Sequence, residues 1–283
     1  MTHRNAWANP SRMGVEVAER MAAFLEQRSQ FADQVEVNRA LLSALDLQPG
    51  ERVLEAGCGS GALARMAAGS QERGIHLVGL DISPDFLAFA RRIDSQDSQV
   101  MYVAGDVQSL PLTSGSFDAA IAARLLLHVD DPLPVVCELA RAIRPGGRIV
   151  LMDWDFETLA VDHPDRELTR RLLHWRNDHH GGNNWSGRQL LRLAIQAGLQ
   201  NPQVIPVTSL ARDEHANLTH SLLRAAEVAR DAGAISGEEH DRWVAEVQAR
   251  LDKGTFFASM AYFIVIAVRG VNGCNPHQPA WAG

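Results

Sequence analysis

The chain has 283 residues, 46% of them hydrophobic, and a formal charge of −7. That apolar share supports a sizeable core, and the acidic balance argues against a broad basic face for nucleic acid. Residues 1–10 are polar and lack the apolar centre of a secretion signal, and no apolar run reaches membrane-spanning length. The sequence therefore reads as a cytoplasmic protein with no membrane partner; nothing in it sets an oligomeric state.

Residues 15–26 place Val17, Met21, Phe24 and Leu25 at helical spacing. A second helical stretch covers 35–45 and ends in the breaker series Leu47-Gln48-Pro49-Gly50. Both stretches fit a cover over the remaining chain, and the first also fits a lid over a ligand. Residues 52–55 read as a short buried strand that runs into Gly57-Cys58-Gly59-Ser60-Gly61 and then a helix. Glycines here permit a tight turn and leave no Cβ in a ligand's way. The helix start offers unpaired N–H groups to polar or anionic atoms. Two cofactor classes use such a turn. Gly57, Gly59 and Ala62 fit the dinucleotide pattern G-x-G-x-x-G/A. Gly57, Gly59 and Gly61 with Glu55 just before them fit S-adenosylmethionine (SAM), because a carboxylate repels a pyrophosphate but attracts a sulfonium and an ammonium. The glycines alone leave both open.

A helix over 62–68 follows, then a second strand over 76–80 that ends at Asp81. Ser83-Pro84-Asp85 starts the next helix with a cap, a proline at the first position and an acid in the first turn. A third strand, 99–104, ends in Gly105-Asp106, and a fourth covers 117–123. A helix over 132–143, the sharp turn Arg144-Pro145-Gly146-Gly147 and a fifth strand over 148–153 complete the series. Strands alternating with helices at this pitch argue a doubly wound α/β fold with a mostly parallel sheet.

The remainder is less regular. Residues 154–187 are polar and rich in His, Trp and Asn, and read as an irregular insert. A helix over 189–197, a short strand over 204–208, helices over 213–231 and 237–251, and a buried strand over 256–268 follow. Residues 270–283 read as a flexible tail. Cys58, Cys137 and Cys274 are too widely spaced to imply a disulfide framework or a structural zinc site, and no metal is expected.

Five features fall in order at strand ends: 55–61, Asp81, Gly105-Asp106, Asp118 through His128, and Pro145-Gly146-Gly147. The set resembles the class I SAM-dependent methyltransferases, closest to the ubiquinone/menaquinone-biosynthesis-like branch that acts on small molecules. The resemblance covers about 47–153, with a weaker likeness at the final strand, FFASMAYFIVIAVRG. It implies a seven-stranded sheet with the last strand antiparallel, N-terminal helices, and a helical insertion before the last strand. It divides the chain into a helical cover or lid (1–46), a SAM-binding core (47–155), a substrate-side insert with cap helices and closing strands of the same domain (156–269), and the tail (270–283).

The resemblance implies roles. Gly57, Cys58, Gly59 and Gly61 pass beneath the amino-acid end of SAM, and Glu55 favours its cationic groups. Asp81 accepts the ribose hydroxyls, Ile82 packs on adenine, and Asp106 with the Val107 N–H meets the adenine edge. Ala123 and Arg124 border the methyl group. The bland readings are a helix cap for Asp81, a turn residue for Asp106 and a solvated charge for Arg124. In the insert, Trp154 and Trp185 are candidate substrate walls and His179 or His180 a candidate base. His128 is a further candidate, with a packed residue beneath the site as its bland reading. The implied reaction is methyl transfer to O, N or C of a small molecule; the alternative is a SAM-binding relative that catalyses a cyclisation.

Overall fold

The computed structural model describes residues 7, 10–69, 74–94, 100–179 and 181–271. Its strands are β1 Arg52–Ala56, β2 His76–Asp81, β3 Val100–Ala104, β4 Phe117–Ala123, β5 Ile143–Val161, β6 Leu199–Ala211 and β7 Ala258–Arg269. They form a seven-stranded sheet in the order β3-β2-β1-β4-β5-β7-β6. The first five pair in parallel, and β7 runs antiparallel to both β5 and β6. The winding reverses between β1 and β4, where an open α/β sheet leaves a crevice at its carboxyl ends.

The helices are α1 Val15–Ser29, α2 Ala32–Leu45, α3 Ala62–Ala68, α4 Pro84–Ile93, α5 Pro132–Ala142, α6 Arg166–His179, α7 Ser186–Gln196, α8 Asn217–Asp231 and α9 Gly237–Asp252. Central strands buried on both faces need near-continuous apolar sequence. In β1, Val53 joins the core beneath α2, α3, α6 and α8, while Leu54 joins the opposite core beneath α5 and α7. Helix α4 starts at the cap that the sequence predicts, and α9 starts at one that the sequence reading does not flag. The Ser83 hydroxyl accepts from the Phe86 N–H with Pro84 next to the cap, and Ser236 with Glu239 forms a capping box on α9.

Two stretches differ from the sequence reading. The insert over 154–187 is not irregular: β5 continues to Val161, and α6 follows. The buried side of α6 carries Leu168, Thr169, Leu172 and Arg176, so polar residues obscure its helical period. Strand β6 runs well past 204–208 at both ends; it is an edge strand, and Pro202 and Pro206 within it mask the strand pattern. The expected tail lies outside the described residues beyond Val271. Among the described residues, no helix is long and apolar enough to cross a membrane.

Helix α1 lies over the crevice side. Ala18 and Ala22 pack on Phe86 of α4, and Glu26 pairs with Arg65 of α3 at 2.6 Å.

Candidate functional site

The chain leaves β1 through a turn in which Gly57, Gly59 and Gly61 all have positive φ. At Gly57 a Cβ would sit 2.7 Å from Leu125 Cδ1, and at Gly61 it would sit 2.5 Å from the Tyr102 hydroxyl. Glu55, the penultimate residue of β1, is 3% exposed. It is tied to the first turn of α3 through the Ala64 N–H, but its Oε2 has no hydrogen-bond partner. Burial raises its pKa to about 8, with Arg124 pulling it down and Asp81 pushing it up.

Asp81 closes β2. Its Oδ2 accepts from the Gly59 N–H at 2.9 Å and its Oδ1 from the Ser83 N–H at 2.9 Å. Burial raises its pKa, and these backbone donors oppose the rise. Asp81 is therefore a brace for the turn, while Ser83 is the cap of α4. After β3, Asp106 Oδ1 accepts from the Gln108 N–H at 2.8 Å in a side-chain turn. After β4, Arg124 is one of the few non-glycine residues with positive φ, at 55°. Its N–H is held by the Met152 carbonyl at 2.7 Å, and its guanidinium donates to Asn38 Oδ1 at 3.0 Å.

These strand ends open into one cavity of about 1390 Å³. Glu55, Gly57, Cys58, Gly59, Asp81, Ile82, Asp106, Val107, Ala123 and Arg124 all line it. Gly61 does not; it is turned toward Tyr102. Helix α1 roofs this end with Phe24 and Leu25. Cys58 is buried, and desolvation holds its thiol well above the ordinary range, so it is a small turn residue and not a nucleophile.

The cavity continues over the extension of β5. Trp154 and Phe156 alternate with Asp153 and Asp155 along it, so the aromatic pair faces the cavity and the acids face α7. Trp154 thus lines the cavity, with Nε1 lacking a partner. Trp185 does not: it is 44% exposed at the start of α7. His179 is also away from the cavity. Its ring stacks on Trp175 at 4.7 Å and its Nδ1 meets the Trp175 carbonyl oxygen at 2.8 Å. His180 lies outside the described residues. His128 does line the cavity, stacked near Trp7 at 6.2 Å.

Sequence reasoning missed Arg28, Asn38, Phe156, Arg176 and Tyr262, all on this wall. One signal was available for Arg176: it follows Leu168 and Leu172 at four-residue spacing. Missed as well was Asp33, whose carboxylate accepts from Gln34 Nε2, Ser209 Oγ and the Asn217 N–H and so joins α2, β6 and α8 behind the cavity.

Residues 54–151 match the family model described as a methyltransferase domain. The chain has the fold of the class I methyltransferases. Over 229 residues it is 38% identical to an uncharacterized 37.1 kDa protein in transposon TN4556 of Streptomyces fradiae, covering 80% of this chain and 65% of that protein. Over 116 residues it is 35% identical to a demethylmenaquinone methyltransferase of Beutenbergia cavernae, covering 41% of this chain and 46% of that enzyme. The chain thus spans less than two thirds of either relative. A similar solved structure is phosphoethanolamine N-methyltransferase 2 of Haemonchus contortus with phosphomonomethylethanolamine and S-adenosylhomocysteine, at TM-score 0.54 and 20% identity, covering 83% of this chain and 52% of that one.

The site discriminates between the two cofactor classes that its glycines leave open. Asp81 and Asp106 line the same cavity as Glu55, and their carboxylates repel a pyrophosphate. The unpartnered Glu55 oxygen invites a cation instead. The residues present fit SAM. Among the described residues, no cluster of His, Cys, Asp and Glu could hold a metal ion.

Proposed function

We propose that this protein transfers a methyl group from SAM to an O, N or C atom of a small molecule, releasing S-adenosylhomocysteine. One observation carries the reading: the buried Glu55 oxygen without a partner shares a cavity with the glycine turn, Asp81 and Asp106. Likeness to a demethylmenaquinone methyltransferase supports a small-molecule acceptor.

SAM brings a methyl group on a sulfonium, already activated toward a nucleophile. The chain's task is then binding, alignment and exclusion of water. Glu55 favours the cationic part of the cofactor. The Asp81 oxygens accept from backbone N–H groups of Gly59 and Ser83 and keep acceptor capacity for the ribose hydroxyls. Ile82 offers an apolar face to adenine, and Asp106 with the Val107 N–H offers polar atoms to its edge. Ala123 and Arg124 border the reacting end, and α1 shields it. His128 is the wall residue able to take a proton where the acceptor carries one.

Calorimetric titration with S-adenosylhomocysteine tests the cofactor, and methyl-labelled SAM tests the reaction. Binding at one site with label moving into product is expected. Absence of binding would overturn the reading; binding with substrate turnover but no label transfer would move it to the cyclisation alternative.

A further inference from the structure

Arg176 occupies the position where the core face of α6 should continue. Leu168 and Leu172 on that face are 3% and 0% exposed, and Arg176 is 5% exposed. A helix face that is apolar for two turns and then buries a guanidinium needs a reason. The usual reason is a buried ion pair. Among the described residues Arg176 has none, and its Nη1 lacks any hydrogen-bond partner. Its guanidinium lies against an aromatic ring instead: Cζ is 3.5 Å from the Phe156 ring centroid. Desolvation lowers its pKa only to about 10, so it is charged at neutral pH.

A second cation stands across the same aromatic pair. The Phe156 and Trp154 rings are 5.1 Å apart, and Arg28 Cζ lies 5.9 Å from the Trp154 ring. Arg28 makes no ion pair among the described residues and is repelled by Arg124. The nearby acid, Asp33, already accepts from Gln34, Ser209 and Asn217. Trp154 Nε1 adds an unpartnered donor. All of these line the cavity except Asp33. The carboxylates that line the cavity are Glu55 in β1, Asp81 and Asp106 at or after the ends of β2 and β3, and Asp130 and Asp131 just before α5, and none of them pairs with Arg176 or Arg28 among the described residues. At about 1390 Å³ the cavity also exceeds the roughly 300–1,000 Å³ usual for one ligand.

We propose that this end of the cavity binds an acidic group of the methyl acceptor, a carboxylate or a phosphate carried on a ring-sized apolar body, with Arg176 and Arg28 as its cationic partners and Trp154 and Phe156 against the body. The proposal rests on the methyltransferase reading for the identity of the molecule bound there. The buried guanidinium is then a preformed half of an ion pair that the acceptor completes.

The test uses the full chain saturated with S-adenosylhomocysteine. Benzoate, phenyl phosphate and neutral benzyl alcohol are titrated by calorimetry. At least one anion is expected to bind at least about tenfold more tightly than the alcohol, the worth of a charged hydrogen bond. The better anion identifies carboxylate or phosphate. Arg176→Met and Arg28→Met should each weaken that anion about tenfold while S-adenosylhomocysteine affinity stays within about twofold. Arg28 is only half-buried, so its variant keeps the test open if Arg176→Met fails to fold. Equal binding of alcohol and anions, no binding of either anion, unchanged anion affinity in the variants, or a shared loss of S-adenosylhomocysteine affinity in a folded Arg176→Met would each overturn the proposal. Failure of the wild-type chain to bind S-adenosylhomocysteine would instead overturn the cofactor reading.

Discussion

The Gly59 N–H donates to Asp81 Oδ2 at 2.9 Å, which fastens the glycine turn after β1 to the end of β2. The other oxygen, Oδ1, holds the Ser83 N–H at the start of α4. One carboxylate thus fixes two loops that meet the same ligand. Asp81→Ala should therefore cost more than ribose contacts. We expect at least about a tenfold loss of SAM affinity, since charge-assisted hydrogen bonds are worth roughly 1.5–3 kcal/mol each. We also expect a lower melting temperature, because two backbone donors lose their acceptor. Calorimetry and thermal melting check both; unchanged affinity would remove Asp81 from the cofactor site.

Glu55 makes a prediction about protons. Its pKa of about 8, raised by burial, keeps it mostly protonated at pH 7 without a ligand. A cationic ligand near Oε2 favours the carboxylate. Binding of SAM at pH 7 should then release most of one proton, and the release should fall as pH rises past about 8, because Glu55 is already ionised there. Titrations in buffers of different ionisation enthalpy read this directly. The Glu55→Gln variant should release none and bind SAM at least about tenfold more weakly. Equal proton release in wild type and variant would sink the role of Glu55.

Why one half of the site was legible and the other was not follows from where its signals lie. Gly57 follows β1 directly, Asp81 ends β2 and Asp106 comes two residues after β3, so a strand-like run of apolar residues points straight at each of them. The far wall is assembled from α1, the β5 extension, α6 and β7, which are distant in sequence. Only three-dimensional packing brings Arg28 to Trp154 and Arg176 to Phe156. The histidines misled for a physical reason: polar composition in 154–187 suggests a loop facing substrate, yet α6 turns His179 back onto Trp175 one helical turn earlier.

That geometry separates the histidine variants. His179→Ala should leave kcat within about twofold, since the ring touches neither cavity nor cofactor residues. His128→Ala should lower kcat by about 10²-fold or more with SAM affinity intact, as expected for a positioned base. The loss should shrink as assay pH rises, because an acceptor that ionises by itself no longer needs the imidazole. A full-activity His128→Ala enzyme at every pH would mean transfer by alignment alone.

Asp153 sets a pH dependence of stability rather than of catalysis. It is fully buried where β5 meets the turn at 126–128 and the start of α7. Its Oδ2 accepts from Ser186 Oγ at 2.6 Å and from the Leu127 N–H at 3.2 Å, while Oδ1 has no partner. Burial outweighs these donors and raises its pKa from 3.8 to about 7. The folded state therefore prefers the protonated carboxyl more than the unfolded chain does. That preference contributes fully below about pH 4 and is lost as pH rises toward 7, at up to about 1.4 kcal/mol per pH unit. Glu55 acts in the same direction, whereas Glu51, Asp118 and Glu138, with lowered values, act in the opposite one. A variant isolates the one group from this background. Asp153→Asn keeps an acceptor for Leu127 and Ser186 but cannot ionise. Its stability relative to wild type should rise by about 1 kcal/mol or more between pH 5 and pH 8. Urea unfolding at the two pH values measures the difference; a constant offset would show that Asp153 does not titrate in this range.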